Sequence, residues 1–127
     1  MIAVDSSALM AIVLHEPVGK ACMTALRADD SLLISAGTVA EALIVANRRG
    51  AGERMRMLID GLGLEIVPVA AVQAFRIAET HAKWGKGAKT AGLNFGDCFS
   101  YVLAKEHGCA LLYVGRDFAR TDIRGAI

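Results

Sequence analysis

Ile2-Ala3-Val4-Asp5-Ser6-Ser7-Ala8-Leu9-Met10-Ala11-Ile12-Val13-Leu14 opens with a short apolar block, interrupts it with an acid and two hydroxyls, and resumes as a longer apolar block. The first block lacks the polar alternation of a strand with one wet face. It reads as a strand, Ile2–Asp5, covered on both sides, as parallel sheets are. Asp5-Ser6-Ser7 supplies side chains that cap a helix N-terminus. The second block therefore reads as a helix, Ser6–Leu14, which His15-Glu16-Pro17 breaks. A strand that feeds directly into an apolar helix is one half of a βαβ unit.

The alternation continues outward from there. Pro17 opens a helix to about Ala28, and Asp29-Asp30-Ser31 is a turn. Leu32–Ser35 reads as the second strand, Glu65–Val67 as the third and Ala110–Val114 as the fourth. Helices are expected over Thr38–Arg49, Glu53–Gly61, Ala70–Trp84 and Phe95–His107, with Gly50 and Gly108 as stops. The tail from Gly115 reads as a turn, a short helical piece and an edge strand. Right-handed crossovers turn this order into a three-layer α/β/α fold with a central parallel sheet of four to five strands. The chain has 127 residues, no repeat and no linker, so residues 1–127 are expected to form one domain.

Composition narrows the classes. Hydrophobic residues make up 54% of the chain and mean hydropathy is +0.43, which excludes disorder. The longest charge-free runs, Ser31–Ala40 and Ile66–Phe75, are about half a membrane span. The first residues lack the basic start of a signal peptide. A cytoplasmic chain with no membrane contact is expected, its surplus apolar surface covered by an oligomer or a partner. The net charge of +1 excludes a protein that holds nucleic acid by bulk charge, but not an enzyme that acts on it through a small site. Cys22, Cys98 and Cys109 have no CxxC spacing and read as buried reduced thiols. The histidines show no zinc spacing.

In such a sheet, ligands bind at the carboxyl ends of the strands. Asp5 ends the first strand. Glu41 lies in the first turn of the helix after the second. Asp97 lies in the first turn of the helix leading to the fourth, and Asp117 just beyond that strand. All four belong on one rim. Each also has a local explanation as a cap: Asp5 before its helix, Thr38 to Glu41 and Asn94 to Asp97 as capping boxes, Asp117 before the last helical piece. Capping does not account for the four together. Two carboxylates about 4 Å apart repel by roughly 4 kcal/mol at an effective dielectric of 20, whereas a helix N-terminus returns about 0.3–1 kcal/mol. A hard divalent cation, Mg2+ or Mn2+, takes oxygen ligands and gains from accumulated negative charge. Held there, it supports metal-assisted hydrolysis of a phosphodiester.

Other motifs carry less. Gly85-Lys86-Gly87-Ala88-Lys89-Thr90 has the outline of a phosphate loop, but Ala88 replaces the required Gly and no strand precedes it. It reads as a surface loop; with Lys83, Lys86 and Lys89 it is also positioned to guide a phosphodiester backbone. Arg48, Arg49, Arg54 and Arg56 read as a solvated face. Trp84 and Tyr101 read as core or interface residues. Leu43, Ile44, Val45 and Ala46, with Met55, Met57 and Leu58, read as core that partly forms a groove for a partner.

Four stretches together resemble the PIN-domain nucleases, and in order and spacing the VapC toxins of VapBC toxin–antitoxin modules. These are Val4-Asp5-Ser6-Ser7-Ala8-Leu9, Ser35-Ala36-Gly37-Thr38-Val39-Ala40-Glu41-Ala42, Gly92-Leu93-Asn94-Phe95-Gly96-Asp97-Cys98-Phe99-Ser100-Tyr101 and Asp117-Phe118-Ala119-Arg120-Thr121-Asp122-Ile123. The resemblance spans essentially the whole chain. It implies a Mg2+- or Mn2+-dependent endoribonuclease of tRNA or rRNA, a homodimer, and a VapB-like antitoxin that covers the acidic pocket. It also implies that water attacks phosphorus to leave 5′-phosphate and 3′-hydroxyl ends. Asp5, Glu41 and Asp97 fall on the family's central acids and metal-binding positions. Asp117 is the fourth acid, with Asp122 its rival. Many relatives carry an acid or Asn where Arg116 stands; Arg116 is instead a candidate phosphate contact, as are Ser7, Lys86 and Lys89. Two other readings remain at this stage: a non-catalytic interaction module whose acids only cap helices, and a phosphotransfer domain with Asp5 as nucleophile, which the missing second Asp of a DxD motif disfavours.

Overall fold

Three of the strands are short runs buried on both faces, the edge run Glu65–Val67 is largely exposed, and all pair in parallel because helices carry the chain back between them. In the computed structural model, which describes residues 1–88 and 91–127, these are β1 (Ile2–Val4), β2 (Leu32–Ser35), β3 (Glu65–Val67) and β4 (Ala110–Leu112). They make one four-stranded sheet in the order β3-β2-β1-β4, all parallel. Ile2 stands level with Leu32 on one side and Ala110 on the other. Helices α1 (Ser6–Val13), α2 (Gly19–Arg27), α3 (Ala36–Arg48), α4 (Gly52–Gly61), α5 (Ala71–Trp84) and α6 (Phe95–His107) cover it.

The two-residue repeat of the strands divides the core into two layers. Ile2, Val4, Leu32, Ile34, Ala110 and Leu112 pack with α1 to α4. Ala3, Leu33 and Leu111 face the other way, with Leu93, Leu103 and Phe118. The fold is therefore the expected α/β/α sandwich. The chain steps outward from β1 to β2 to β3, then crosses back to place β4 on the far side of β1. The order reverses at β1, so the crevice at its carboxyl end is where such sheets bind ligands. Asp5 stands there, its N–H donating to the Leu112 carbonyl at 3.0 Å.

Several expected boundaries move, each for a local reason. Helix α3 begins at Ala36 because Ser35 caps it, its hydroxyl accepting from the Gly37 N–H at 3.2 Å. Thr38 and Glu41 are thus not a capping box. Helix α2 begins at Gly19, after a turn in which His15 takes a positive φ of 55°. Strand β4 stops at Leu112, and the Val114 N–H donates instead to the Ser7 hydroxyl at 3.0 Å. The tail forms no fifth strand among the described residues; Gly125 makes one isolated bridge to Leu111, and residues 115–122 are turns and bends. Cys22 and Cys98 are buried free thiols, but Cys109 is only half-buried. No helix among the described residues is long and apolar enough to cross a membrane.

Candidate active site

The four acids arrive at the rim on different elements. Asp5 is the N-cap of α1, its side chain accepting from the Ser7 N–H at 3.1 Å. Asp97 forms a reciprocal capping box with Asn94 at the start of α6: the Asp97 N–H donates to Asn94 Oδ1 at 2.9 Å, and the Asn94 N–H to Asp97 Oδ2 at 3.0 Å. The local explanation for these two residues is thus correct as far as it goes. It engages Asp97 through Oδ2.

A closed circuit of contacts brings three of the acids together. The Ser100 hydroxyl, one turn beyond Asp97 on α6, donates to Asp5 Oδ1 at 2.6 Å and sits 3.2 Å from Thr38 Oγ1. The Ser7 hydroxyl donates to Asp5 Oδ2 at 2.6 Å. Ser6, beside Asp5, donates to Glu41 Oε1 at 2.8 Å. The Glu41 carboxylate lies against the Cα of Gly96, so closely that a side chain there would overlap it. Gly96 adjoins Asp97 in the chain, and the circuit is complete. Residues up to 95 positions apart are linked by hydrogen bonds and one glycine contact.

Their electrostatics agree. The Asp97 carboxyl is pushed up to about 7, first by burial and then by the charges of Asp5, Asp117 and Glu41, against the opposing hydrogen bond from Asn94. Glu41 is also raised, by burial foremost and by the charge of Asp5, while the Ser6 hydroxyl opposes. Asp117 is exposed on the segment after β4, and its charge reaches Asp97. Asp122 is engaged elsewhere, accepting from the Tyr101 hydroxyl at 2.6 Å and from Lys105 Nζ at 2.9 Å. These partners hold it below the usual carboxylate range, the Tyr101 hydrogen bond foremost.

This donor set suits a hard divalent cation. It is all oxygen, and it gathers carboxylates whose charges add to burial in holding the Asp97 carboxyl up at about 7. Among the described residues, no three His, Cys, Asp or Glu side chains already stand close enough to enclose an ion. Each carboxylate of the circuit is turned onto a protein donor: Glu41 onto Ser6, Asp5 onto Ser7 and Ser100, Asp97 onto Asn94.

Two concavities border the acids. A groove of about 430 Å³ runs from Glu41 and Gly96 past Ile44, Val45 and Phe95 to Arg48. A cleft of about 290 Å³ is lined by Ala91, Gly92, Arg116, Asp117 and Arg120. The expected partner groove thus divides. Ala46 and Met55 are fully buried core, and Ile44 and Val45 line the groove beside Glu41. Met57 and Leu58 line a separate concavity of about 410 Å³ with Met23 and Leu62. Ser7 is bound between Asp5 and the Val114 N–H. Arg116 and Lys86 are exposed, and Lys89 lies outside the described residues. The sequence reading gives Ser100 no role and takes Thr38 only as a helix cap. Their spacing is the signal that marks them: each is three positions from an acid of the same helix, and hence on its face.

Comparison with known proteins agrees with the fold. The PIN domain family model matches residues 2–124. Ribonuclease VapC30 of Mycobacterium tuberculosis is 39% identical over 123 residues, covering 94% of each chain. Ribonuclease VapC of Mycolicibacterium smegmatis is 36% identical, covering 94% of this chain and 95% of the relative. In structure, M. tuberculosis VapC20, described as a sarcin-ricin loop cleaving toxin, superposes with a TM-score of 0.79 at 15% identity, covering 97% of this chain and 96% of that one. A toxin–antitoxin complex from Klebsiella pneumoniae gives 0.72 at 19% identity, covering 96% and 93%. The chain belongs to the PIN-domain family and, within it, to the VapC ribonucleases.

Proposed function

We propose that this chain is the toxin of a type II toxin–antitoxin module, a cytoplasmic endoribonuclease of one domain over residues 1–127 that requires Mg2+ or Mn2+. The observation that carries the reading is the circuit from Asp97 through Ser100, Asp5, Ser6 and Glu41 back to Gly96. It concentrates negative charge at the one crevice where the sheet favours a ligand. Homology to named ribonucleases supports the reaction class.

Asp5, Asp97 and Glu41 would hold the ion, and Asp117 would complete its surroundings. When bound, the ion supplies charge neutralisation at the phosphoryl oxygens and acidifies water. The chain's own part is positional. Ser7 and Ser100 hold Asp5 with both oxygens oriented, and Ser6 does the same for Glu41. Glu41 then orients the water that attacks phosphorus, and the products carry 5′-phosphate and 3′-hydroxyl ends. Arg116, with Arg120 beside it in the Asp117 cleft, contacts an RNA phosphate. Lys86 and Lys89 steer the strand, drawn from tRNA or rRNA. A VapB-like antitoxin lies along the apolar groove that starts at Glu41, where Phe95 is 69% and Ile44 53% exposed. A segment seated there blocks the acids. The toxin itself is a homodimer.

The test is incubation of the purified chain with a tRNA and rRNA pool and Mg2+. Cutting is expected, and it should be lost with EDTA, in Asp5→Asn and in Asp97→Asn. Cutting that survives EDTA would refute the metal requirement. A phospho-aspartate trapped on Asp5 would favour phosphotransfer instead. No cutting of any RNA, with both variants equally inert and equally stable, would leave an interaction module.

A further inference from the structure

We infer that Tyr101 is a positioning residue of this site: its hydroxyl ties the segment that carries Asp117 to the helix that carries Asp97. The inference rests on the nuclease reading above and adds a residue to it.

Asp117 has the weakest local support of the four acids. It is exposed, and its segment belongs to no helix or strand. It is also repelled by the carboxylates it must approach, since its charge acts on Asp97. Left to itself, a flexible segment relieves such repulsion by swinging into solvent. Something must hold it in place.

Two anchors do so. Phe118, 1% exposed, is buried with its ring centroid 5.0 Å from that of Tyr113. Asp122 is bound by the Tyr101 hydroxyl and by Lys105, both on α6. The anchors are connected by a tight turn. Thr121 Oγ1 donates to the Phe118 carbonyl at 2.7 Å, the Thr121 N–H to the same carbonyl at 3.0 Å, and the Ile123 N–H to Thr121 Oγ1 at 3.2 Å. A displacement of Asp122 is therefore passed to Phe118 and Asp117 instead of being absorbed between them.

Tyr101 lies one helical turn beyond Asp97 on α6. Its oxygen also accepts from Trp84 Nε1 at 3.1 Å, at the end of α5. The Trp84 carbonyl in turn accepts from the Leu93 N–H at 3.0 Å, just before the Asn94 cap. One hydroxyl thus references both sides of the Asp117 cleft to the Asp97 helix. Burial holds the Tyr101 phenol up at about 12, so it remains a donor to Asp122 throughout the working pH range. A buried ring needs no hydroxyl to fill its space. The hydroxyl's partners are what set its role.

The test is Tyr101→Phe in the full chain, read by Mn2+ calorimetry beside thermal unfolding, alone and combined with Asp117→Asn. The expected result is Mn2+ affinity weakened about tenfold, the scale for residues that orient metal ligands, with no further weakening when Asp117 is already Asn. Asp122→Asn should give the same pattern and serves if Tyr101→Phe does not fold. Equal losses in both backgrounds, tracking the fall in unfolding temperature, would make Tyr101 merely structural and overturn the inference. So would unchanged affinity in Tyr101→Phe while the parent chain binds. A parent chain that binds no Mn2+ would instead overturn the nuclease reading itself, and the inference with it.

Discussion

Replacing Asp97 by Asn should stabilise the metal-free protein above neutral pH and leave it unchanged in acid. The Asp97 carboxyl rises from 3.8 to about 7 on folding. Below 3.8 it is protonated in both states and contributes nothing. Between 3.8 and 7 the unfolded chain releases the proton while the folded chain keeps it, so the folded state binds more protons and stability falls as pH rises. Above 7 the full penalty applies. At about 1.36 kcal/mol per unit the shift corresponds to about 4 kcal/mol. The Asp97 carboxyl is only partly desolvated, and solvent screening reduces this to about 2 kcal/mol. The Asn side chain can still accept from the Asn94 N–H, so the cap survives. Thermal unfolding in EDTA should then show Asp97→Asn melting higher than the parent at pH 8 by roughly 6–10 °C, with the curves converging near pH 4. A variant less stable than the parent at pH 8, or a parent whose stability does not fall between pH 4 and 7, would refute the reasoning.

Other substitutions probe the remaining parts of the site. Gly96→Ala places a methyl where the Glu41 carboxylate lies; helix propensity favours Ala by about 1 kcal/mol, so the fold should persist by circular dichroism while RNA cleavage falls sharply. Ser100→Ala removes the donor to buried Asp5 Oδ1 and should cost about 1–3 kcal/mol in urea unfolding, together with a loss of cleavage rate at saturating Mg2+. Phe118→Ala empties a fully buried site and should cost about 3–5 kcal/mol by the same measurement. Added Mg2+ should raise the melting temperature of the parent at pH 8 more than that of Asp97→Asn, because the variant lacks one of the carboxylates that would hold the ion.

What the sequence made legible followed from local pattern. β1, β2 and β4 are readable because their two faces are mostly apolar, and Asp5 and Asp97 because caps have a short-range signature. Asn94 and Asp97 form the capping box their spacing announces. Glu41 shows the limit of that signature. The Thr38 to Glu41 spacing mimics a capping box, but Ser35 had already started the helix, and Thr38 turns instead to a buried hydroxyl on α6. Ser100 is not legible as a partner of Asp5, because a serine 95 positions from its carboxylate partner leaves no local trace. The tail was misjudged for a related reason. It is held by Tyr101, Lys105 and the burial of Phe118, with a single parallel bridge from Gly125 to Leu111 in place of a full edge strand.

The central claim is that carboxylates from four parts of the chain share one ion. Substoichiometric Mn2+ added to protein with 13C-labelled Asp and Glu carboxyls tests it directly, since the paramagnetic ion broadens only nearby resonances. Asp5, Glu41, Asp97 and Asp117 should broaden together at the first additions, while Asp122 and Asp29, each bound to a protein cation, stay sharp. Broadening spread evenly over the surface acids, with Asp5 and Asp97 unaffected, would contradict it.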